Sequence, residues 1–565
     1  MRKIGKTVIF FLLLGILFLA VQMLLLPKWR YPVDLEEHLS RVEEYHSIRK
    51  DSVQVLFAGT SHVMYGVDPM QIYQESGIVS YNLGCSLQRM ATMYYQLADA
   101  FDDQSPKVVM VDASSLYLDL YFEPAWRHLL DLESYLSGSR LAASLQFSGD
   151  RYLSTIHEIP NSLFAEWDEK LGYWFDAYFS FFANHTRWDE LSQSDFEIVP
   201  ADRYYSKGYL FRPDAVPADS EVDEINKEAY EKQTETGQEE LIIDRGERIV
   251  NSRSSEPYNY LVNKEQAGWL EKIRQLCAEH GARLVLIKIP VQKNIREYSS
   301  SWTKLKSEEI KKIASQMNIS FLDLMYDTDI HIDGKQDYYD GGSHLNFRGA
   351  EKVSDYLASY LTKECGLEGQ KNAYYDSGMR WYRKLNTVKE LIRADQWSEY
   401  IKALHKRSDG KTILLALNST DDQFSMEDWN ELKTIGVETP YHQDMSSTSY
   451  VGVIQDGKSV YEVSGRLPAT VEFPLNSKSV ADLKSVSDIW LASEPGQASI
   501  QLDHEEKTEN SPGLNIIVYD NDTQTIIDRV SFCKSSADGT VECRRDWSVI
   551  SGDLLIYLKR LYNEL

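Results

Sequence analysis

Short apolar runs alternate with amphipathic segments from residue 53 onward. The runs Val53–Gly59, Val79–Leu83 and Lys107–Asp112 are strand-like, and the segments Pro69–Glu75 and Leu87–Ala100 between them have helical spacing. Nearly continuous apolar strands that alternate with helices are typical of a parallel sheet covered on both faces. The pattern therefore predicts an α/β domain with three layers, a sheet between two layers of helices.

The alternation of strand-like and helical segments stops near residue 118 and resumes near residue 260. Aromatic helical stretches and then an acidic, polar stretch fill this interval, so we expect it to be an insertion with a flexible part. One sheet domain is therefore predicted over residues 31–365, divided by an insertion at about 118–260. Beyond the insertion the expected elements are the helix Asn263–His280, the strands Arg283–Pro290 and Ile319–Met325, and the helix Phe347–Lys363.

A second pattern begins after a polar linker at residues 366–385. Trp381–Lys406 and Met426–Ile435 have helical spacing, Lys411–Leu417 is strand-like, and further strand-like runs follow. Helices and strands that are not in regular alternation indicate an α+β arrangement. We therefore predict a separate C-terminal α+β domain over residues 386–565.

The N-terminal end carries an uncharged apolar run, Thr7–Leu26, directly after the basic residues Arg2, Lys3 and Lys6. A helix of about twenty apolar residues spans the hydrocarbon core of a bilayer, and the basic flank favours a cytoplasmic end. We expect residues 1–30 to form a cytoplasmic end and a single-pass transmembrane anchor, with the bulk of the chain outside the cell. A cleaved signal peptide is the alternative, but the run is long for one and no cleavage site follows it.

Charge and cysteine content narrow the classes of partner. The net charge of -26 argues against nucleic acid as a partner, because binding phosphates requires clustered Lys and Arg. The five cysteines are sparse and odd in number, so they predict no disulfide framework and no metal site, and no cofactor is expected. Cys533 and Cys543 could close a hairpin, but packing roles for all five are the favoured interpretation.

A serine lies where the first predicted strand ends, in the sequence Gly59-Thr60-Ser61-His62. Ligands of α/β folds bind at the carboxyl ends of parallel strands, and the following helix N-terminus offers N–H groups to an oxyanion. Ser61 is therefore a candidate nucleophile that also supplies a backbone donor. The alternative is that it only caps a helix.

Two further polar segments favour the catalytic interpretation. His344, between the last strand and the last helix, can meet Ser61 across the sheet edge, and an Asp just upstream can hold its imidazole in the required tautomer. After the second strand, Gly84 can turn its N–H toward a reacting carbonyl oxygen. Gln88, on the next helical turn, is a candidate side-chain donor to the same oxyanion.

These segments resemble the SGNH/GDSL hydrolase family over about 300 residues. The sequence around Ser61 is similar to the first family block, Gly84 to the second, and DGGSHLN to the last, which implies Asp340 and His344 as catalytic partners of Ser61. The spacing departs from the family, because three residues separate Asp340 from His344 instead of two, and Asp337 is therefore its rival. No Gly-x-Asn-Asp block follows the third strand, so Gln88 or Ser114 would replace its oxyanion donor.

Within that family the chain looks most like membrane-anchored relatives of the teichoic acid D-alanine transfer protein and of polysaccharide O-acetylation proteins. The resemblance implies acyl transfer to a surface glycan or teichoic acid beside a multispanning MBOAT acyltransferase. An esterase of the same fold would use the same residues, and a non-catalytic scaffold that recruits the acyltransferase is a third possibility. An adjacent MBOAT gene would favour transfer.

Polar and aromatic residues near the site or in the insertion are candidates for substrate binding. These are His62, His185, Arg187 and Trp188, and the last two would suit a sugar or a phosphate. A buried His and a structural Arg that brace the insertion are the favoured alternative.

The C-terminal region resembles, more weakly, the interleukin-like EMT inducer fold in two pieces. Lys411–Ala416 and Ser449–Ile454 are similar to one half, and Gly513–Asp520 with Val530–Phe532 to the other, in circularly permuted order. The resemblance implies a domain that contacts glycan or protein. It carries no catalytic motif.

Overall fold

The computed structural model divides the chain into two compact units, Met1–Tyr375 and Asp376–Leu565. The ranges that the structure describes are 2–24, 44–86, 88–117, 189, 191, 205–218, 262, 264–292, 300–418, 424–440, 448–466, 471–476, 488–494, 496–508, 512–534 and 541–563.

Residues Thr7–Leu24 of the apolar N-terminal run lie in helix α1, Arg2–Leu24, in which the large apolar side chains from Val8 to Leu19 are exposed. None of the helices in the described ranges is long and apolar enough to cross a membrane. The structure therefore gives the expected anchor no support, and the topology stays a prediction.

A parallel sheet forms the centre of the first unit. Five of its strands are hydrogen-bonded in the order β2-β1-β3-β6-β7, and every neighbouring pair is parallel. This arrangement confirms the predicted α/β class. The described strands of the unit are β1 (Val55–Ala58), β2 (Ser80–Asn82), β3 (Val108–Asp112), β4 (Tyr205–Ser206), β5 (Tyr209–Leu210), β6 (Arg283–Lys288) and β7 (Ser320–Asp323).

Helices cover this sheet. Val55 and Phe57 of β1 lie in one apolar cluster with Leu357, while Leu56 and Val109, which alternate with cluster residues along their strands, are fully buried as well. Both faces of the sheet are therefore covered. The helices of this unit are α2 (Ser61–Gly66), α3 (Pro69–Ser76), α4 (Met90–Phe101), α5 (Lys264–Glu279), α6 (Ser300–Gln316) and α7 (Phe347–Lys363), with a 3-10 turn at Ala113–Tyr117. Helix α8 (Ala373–Arg393) begins in this unit and continues into the second.

Local sequence signals set the ends of these helices. The Asp68 carboxylate caps α3 by accepting hydrogen bonds from the N–H groups of Met70 and Gln71, Pro69 occupies the first turn, and Gly77 ends the helix with a φ of 69°. Asn346 caps α7 in the same way. The patterns predicted both helices, but not α6 or the extent of α2.

A short hairpin from the insertion, β4–β5, packs against the end of β2. The N–H of Asn82 donates to the carbonyl of Lys207 at 2.9 Å. Gly208 has a φ of 83°, and a Cβ atom there would lie 1.7 Å from the carbonyl oxygen of Asn82. Only glycine fits this turn, which we call the Lys207–Gly208 turn.

The expected linker at 366–385 is not a loop throughout. Leu367 packs in the core of the first unit, and Ala373–Arg393 is α8, so the boundary after Tyr375 falls within a helix. The single helix expected at Trp381–Lys406 is divided into α8 and α9 (Trp397–His405). The Arg545 guanidinium donates to the carbonyls of Leu391 and Ala394, which satisfies the end of α8.

The second unit contains a six-stranded antiparallel sheet ordered β10-β9-β8-β15-β16-β17 and a four-stranded sheet ordered β11-β12-β13-β14. The described strands are β8 (Lys411–Asn418), β9 (Thr448–Gln455), β10 (Lys458–Arg466), β11 (Val471–Asn476), β12 (Asp488–Glu494), β13 (Gln497–Leu502), β14 (Glu505–Glu506), β15 (Gly513–Asp520), β16 (Thr525–Lys534) and β17 (Val541–Arg544). The helices are α9, α10 (Met426–Glu431) and α11 (Trp547–Asn563), with a 3-10 turn at Leu432–Ile435.

The cysteines of this unit lie on neighbouring strands, but they are not joined. Cys543 is opposite Phe532 and Cys533 is opposite Glu542. Because side chains alternate between faces along a strand, this one-residue offset directs the two thiols to opposite faces of the sheet. All five cysteines are free thiols.

Candidate active site

Ser61 is held at the end of β1 by contacts of the two residues before it. Gly59 allows close approach to the third strand, since a Cβ atom there would lie 2.4 Å from the Cβ of Asp112. The Thr60 hydroxyl donates to the buried Asp112 carboxylate at 2.5 Å. Its oxygen also accepts from the N–H of His62 and so caps α2. Thr60, not Ser61, is therefore the N-cap residue, which leaves the Ser61 hydroxyl available.

The Ser61 hydroxyl and His344 are within hydrogen-bond distance, with 2.7 Å between Oγ and Nε2. On the other side of the imidazole, Nδ1 lies 2.5 Å from Oδ2 of Asp340. A carboxylate can only accept from Nδ1–H, so Nε2 is the unprotonated nitrogen that faces Ser61. The predicted meeting of Ser61 and His344 across the sheet edge is present in the structure.

The loop around His344 accommodates the unusual spacing after Asp340. Gly341 and Gly342 both have positive φ, 81° and 106°, so the loop folds back on itself at a conformation that favours glycine. The other carboxylate oxygen of Asp340 accepts from the N–H groups of Ser343 at 3.1 Å and His344 at 2.8 Å. One carboxylate thus fixes the loop and the imidazole together.

The rival carboxylate, Asp337, is occupied elsewhere. Its Oδ2 accepts from the Lys352 ammonium and from the N–H of Asp333, both at 2.6 Å, and its side chain is buried. This carboxylate braces the start of the loop on α7. Asp340 is the residue that contacts His344.

Two of the predicted oxyanion donors are engaged in other hydrogen bonds. The N–H of Gly84 donates to Oδ1 of Asn82 at 2.8 Å. The amide of Gln88 is fully buried and donates to Oε1 of Gln96 at 2.8 Å. Neither donor is therefore free in this conformation. The Asn82 side chain is itself fixed, because its NH₂ group donates to the carbonyls of Val63, in α2, and Val67, directly after α2. Its Oδ1 is thereby directed toward the N–H of Gly84.

Two other candidate oxyanion donors have no acceptor among the described residues. The N–H of Ser61, at the first position of α2, has no hydrogen-bond acceptor in the part of the chain that the structure describes, and neither has the Ser114 hydroxyl. One Asp112 carboxylate oxygen accepts from the N–H of Ser114 and the other from Thr60. A single buried carboxylate therefore ties Ser114 to the residue that precedes the nucleophile.

Comparison with known proteins assigns no family. No family model matches the chain, and no curated protein matches it. Among solved structures, the chain is similar to a crystal structure of a "putative acylhydrolase" from Bacteroides fragilis NCTC 9343, with 11% identity, 58% of this chain and 97% of that chain covered, and a TM-score of 0.26. A likeness of that size carries no argument. The parallel sheet fits an SGNH-like fold, and the family itself stays an expectation.

The predicted substrate-binding residues fall into two groups. His185, Arg187 and Trp188 lie outside the described residues. His62 is buried, and its ring centroid is 5.1 Å from that of His344. Burial, followed by the proximity of His344, lowers the pKa of His62 to about 4. His62 is therefore a neutral neighbour of the site at neutral pH, and its burial leaves little surface for substrate contact.

The lowered pKa of His62 predicts a pH-dependent stability. Between pH 6.5 and about 4 the unfolded chain binds a proton at His62 that the folded chain excludes, so stability falls as pH drops through this range, by about 3 kcal/mol in total. Urea unfolding of the first unit at pH 7 and pH 5 should therefore show a weaker pH dependence in His62→Gln. The exposed His331→Gln serves as the control, and an unchanged dependence in His62→Gln would contradict the prediction.

The sequence interpretation missed several residues of the site. Asp112, at the end of β3, could have been noticed because the carboxyl ends of parallel strands share one edge. Tyr65 and Tyr339, whose ring centroids are 5.2 and 5.6 Å from that of His344, gave no distinct signal. Arg212 lies over both tyrosine rings and was not among the predicted site residues.

Proposed function

We propose that the chain is a serine acyl-ester enzyme in which Ser61 is the nucleophile, His344 the general base and Asp340 the orienting carboxylate. The continuous contact from Ser61 through His344 to Asp340, at 2.7 and 2.5 Å, carries this proposal. Nε2 of His344 takes the Ser61 proton while Oγ attacks the acyl carbon. The same proton then passes to the departing alkoxide, which leaves an acyl-enzyme.

Deacylation repeats these steps with a second hydroxyl compound. His344 removes a proton from water or from an acceptor alcohol, the new oxygen attacks the acyl carbon, and Ser61 leaves with the proton that His344 returns. The backbone N–H of Ser61 and the Ser114 hydroxyl would stabilise the oxyanion in both halves, since both are free of other acceptors among the described residues. Gly84 would join them only if its bond to Asn82 opened.

Transfer to a surface glycan or teichoic acid, with an MBOAT partner that supplies the acyl group, is the finer form of the proposal. Its support is the resemblance to acyl-transfer proteins; the geometry itself serves hydrolysis equally. The side chains of His344 and Asp340 are 21% and 27% exposed, so a second hydroxyl compound can approach the base.

The deciding experiment gives the full-length protein in detergent an O-acetylated sugar, with and without a second sugar as acceptor. We expect acetate release without the acceptor and acetylated acceptor with it, both detected by mass spectrometry. Acetate release alone would leave an esterase. The proposal that the chain is an enzyme would be refuted if no ester were turned over and if deletion of the protein left the acylation of the surface polymer unchanged.

The location of the site outside the cytoplasm is also a proposal, and it rests on the basic flank and apolar run at the N-terminus. Protease added to intact protoplasts should then degrade the chain beyond about residue 30, with a cytoplasmic protein as the protected control. Protection of the bulk of the chain until the membrane is opened would place the site inside the cell.

A further inference from the structure

We propose that Arg212 binds a carboxylate or phosphate group carried by the ester substrate, next to the acyl group that Ser61 attacks. This inference rests on the proposed function and assigns a substrate class to it, anionic acyl esters. Arg212 belongs to the insertion and to none of the family blocks. It would act as a specificity residue rather than in proton transfer.

The backbone of Arg212 is anchored beside the catalytic loop. Its carbonyl accepts from the N–H of Phe347 at 2.9 Å, three residues after His344. Two residues earlier, Leu210 packs in an apolar cluster with Met64 and Tyr65, against which Tyr339 also packs. The chain around Arg212 is therefore fixed to both α2 and the His344 loop, and its position relative to the site is defined.

Aromatic rings connect the Arg212 side chain to His344. The Arg212 Cζ atom is 4.8 Å from the ring centroid of Tyr339 and 5.4 Å from that of Tyr65. Tyr339 is stacked with His344 at an interplanar angle of 19°, and Tyr65 meets the same imidazole edge to face. Each tyrosine thus contacts both the guanidinium and the catalytic base. The two tyrosine rings therefore link the positive charge to the imidazole.

The Arg212 guanidinium has a neutral hydrogen-bond partner, the hydroxyl of Tyr65, but no anionic one among the described residues. In those ranges no carboxylate forms an ion pair with its guanidinium, and its buried Nε has no hydrogen-bond acceptor. Burial opposes the charged form of Arg212, but Tyr65, Tyr339 and, least of all, Asp214 raise its pKa on balance. The Asp340 carboxylate is bound to His344.

A substrate oxyanion would supply the anionic hydrogen-bond partner that this guanidinium lacks. Planar guanidinium groups bind carboxylates and phosphates through paired N–H donors, and stacking on two tyrosines holds the plane in place. The chain as a whole carries a net charge of -26, which repels anions in general. An anionic ester therefore needs a local cation at the site, and Arg212 provides it.

The test compares matched neutral and anionic esters on the full-length protein in detergent. Acetylated methyl glucuronoside and acetylated glycerol phosphate carry the carboxylate and the phosphate. The methyl ester of the former and the dimethyl phosphate ester of the latter are the neutral partners. In Arg212→Gln we expect kcat/KM for an anionic ester to fall about 10- to 100-fold more than for its neutral partner, the effect of one charged hydrogen-bonded pair. The loss should appear mainly in KM, and Arg212→Lys should recover part of it. Whichever anion shows the difference identifies the group.

The controls separate this inference from the proposed function. Arg274→Gln, on α5 and paired with Glu271, should leave both classes of ester unchanged. Equal losses for neutral and anionic esters in Arg212→Gln, or no preference of the wild type for either anion, would overturn the anion site while the enzyme stands. If the wild type cleaves no ester, the proposed function fails instead. Titration of Ser61→Ala with glycerol phosphate and with glucuronate then decides the anion site alone, since binding must weaken when Arg212→Gln is added.

Discussion

Ser61→Ala is expected to lower kcat for ester cleavage by about 10⁴- to 10⁶-fold, the range found when a nucleophile is removed from a coupled triad. The protein should stay folded, because the hydroxyl lies at the partly exposed start of α2 and the helix cap is supplied by Thr60. Acetate release from an O-acetylated sugar measures the activity. The thermal transition checks the fold.

His344→Ala should reduce activity as far as Ser61→Ala, and the double variant should be no worse than either single one. Groups that act as one unit lose their effect together, and the 2.7 Å contact makes these two side chains one unit. Independent, multiplying losses would argue against a shared proton transfer. If Ser61→Ala acylated its polymer at the wild-type rate, the chain would be a scaffold for another acyltransferase.

Asp340→Asn should lower kcat by about 10²- to 10⁴-fold through the tautomer of His344. One carboxylate oxygen accepts from the N–H groups of Ser343 and His344, so the amide oxygen of the variant will take that place. Its NH₂ group must then face Nδ1. A donor at this point makes Nδ1 the acceptor and moves the ring proton to Nε2, where it blocks the transfer from Ser61.

Asp337→Asn is the matched comparison, at the other candidate position. It weakens the contacts with Lys352 and with the N–H of Asp333, which should cost about 1–3 kcal/mol of stability and leave kcat within about threefold of wild type. Urea unfolding and acetate release measured on both variants separate the two effects. Loss of kcat in Asp337→Asn with full activity in Asp340→Asn would reassign the orienting carboxylate.

The alternation of strands and helices made the parallel sheet predictable, because buried strands and amphipathic helices are set by local periodicity. The six-residue helix α2 is too short to show a period, so only a helix start after Ser61 was expected and not its extent. The prediction of one uninterrupted helix at Trp381–Lys406 was wrong for a different reason. Its interruption is satisfied by Arg545, a partner that is more than 150 residues away in sequence and leaves no local signal.

In the candidate site, too, features set by nearby sequence were predictable, and features set by contacts between distant residues were not. The convergence of strand ends and loops at one sheet edge predicted that Ser61 and His344 would meet, while Asp340 was implied by the family resemblance, with Asp337 as its rival. The donors at Gly84 and Gln88 were misjudged because their hydrogen bonds depend on Asn82 and Gln96, whose side-chain directions a sequence does not reveal. Arg212 was invisible for a related reason, since only the folded chain brings the insertion to the tyrosines.

The Lys207–Gly208 turn makes part of the insertion a structural element of the first unit. The Asn82 backbone is hydrogen-bonded to this turn, and its side chain is hydrogen-bonded to α2 and to Gly84. Asn82 therefore connects the turn, the helix that begins at Ser61 and the loop that contains Gly84. A shortened chain that joins residue 117 directly to residue 262 would keep all five strands of the parallel sheet. It would nevertheless lose the hydrogen bond between Asn82 and Lys207. A shortened version of the protein should therefore retain residues 205–218.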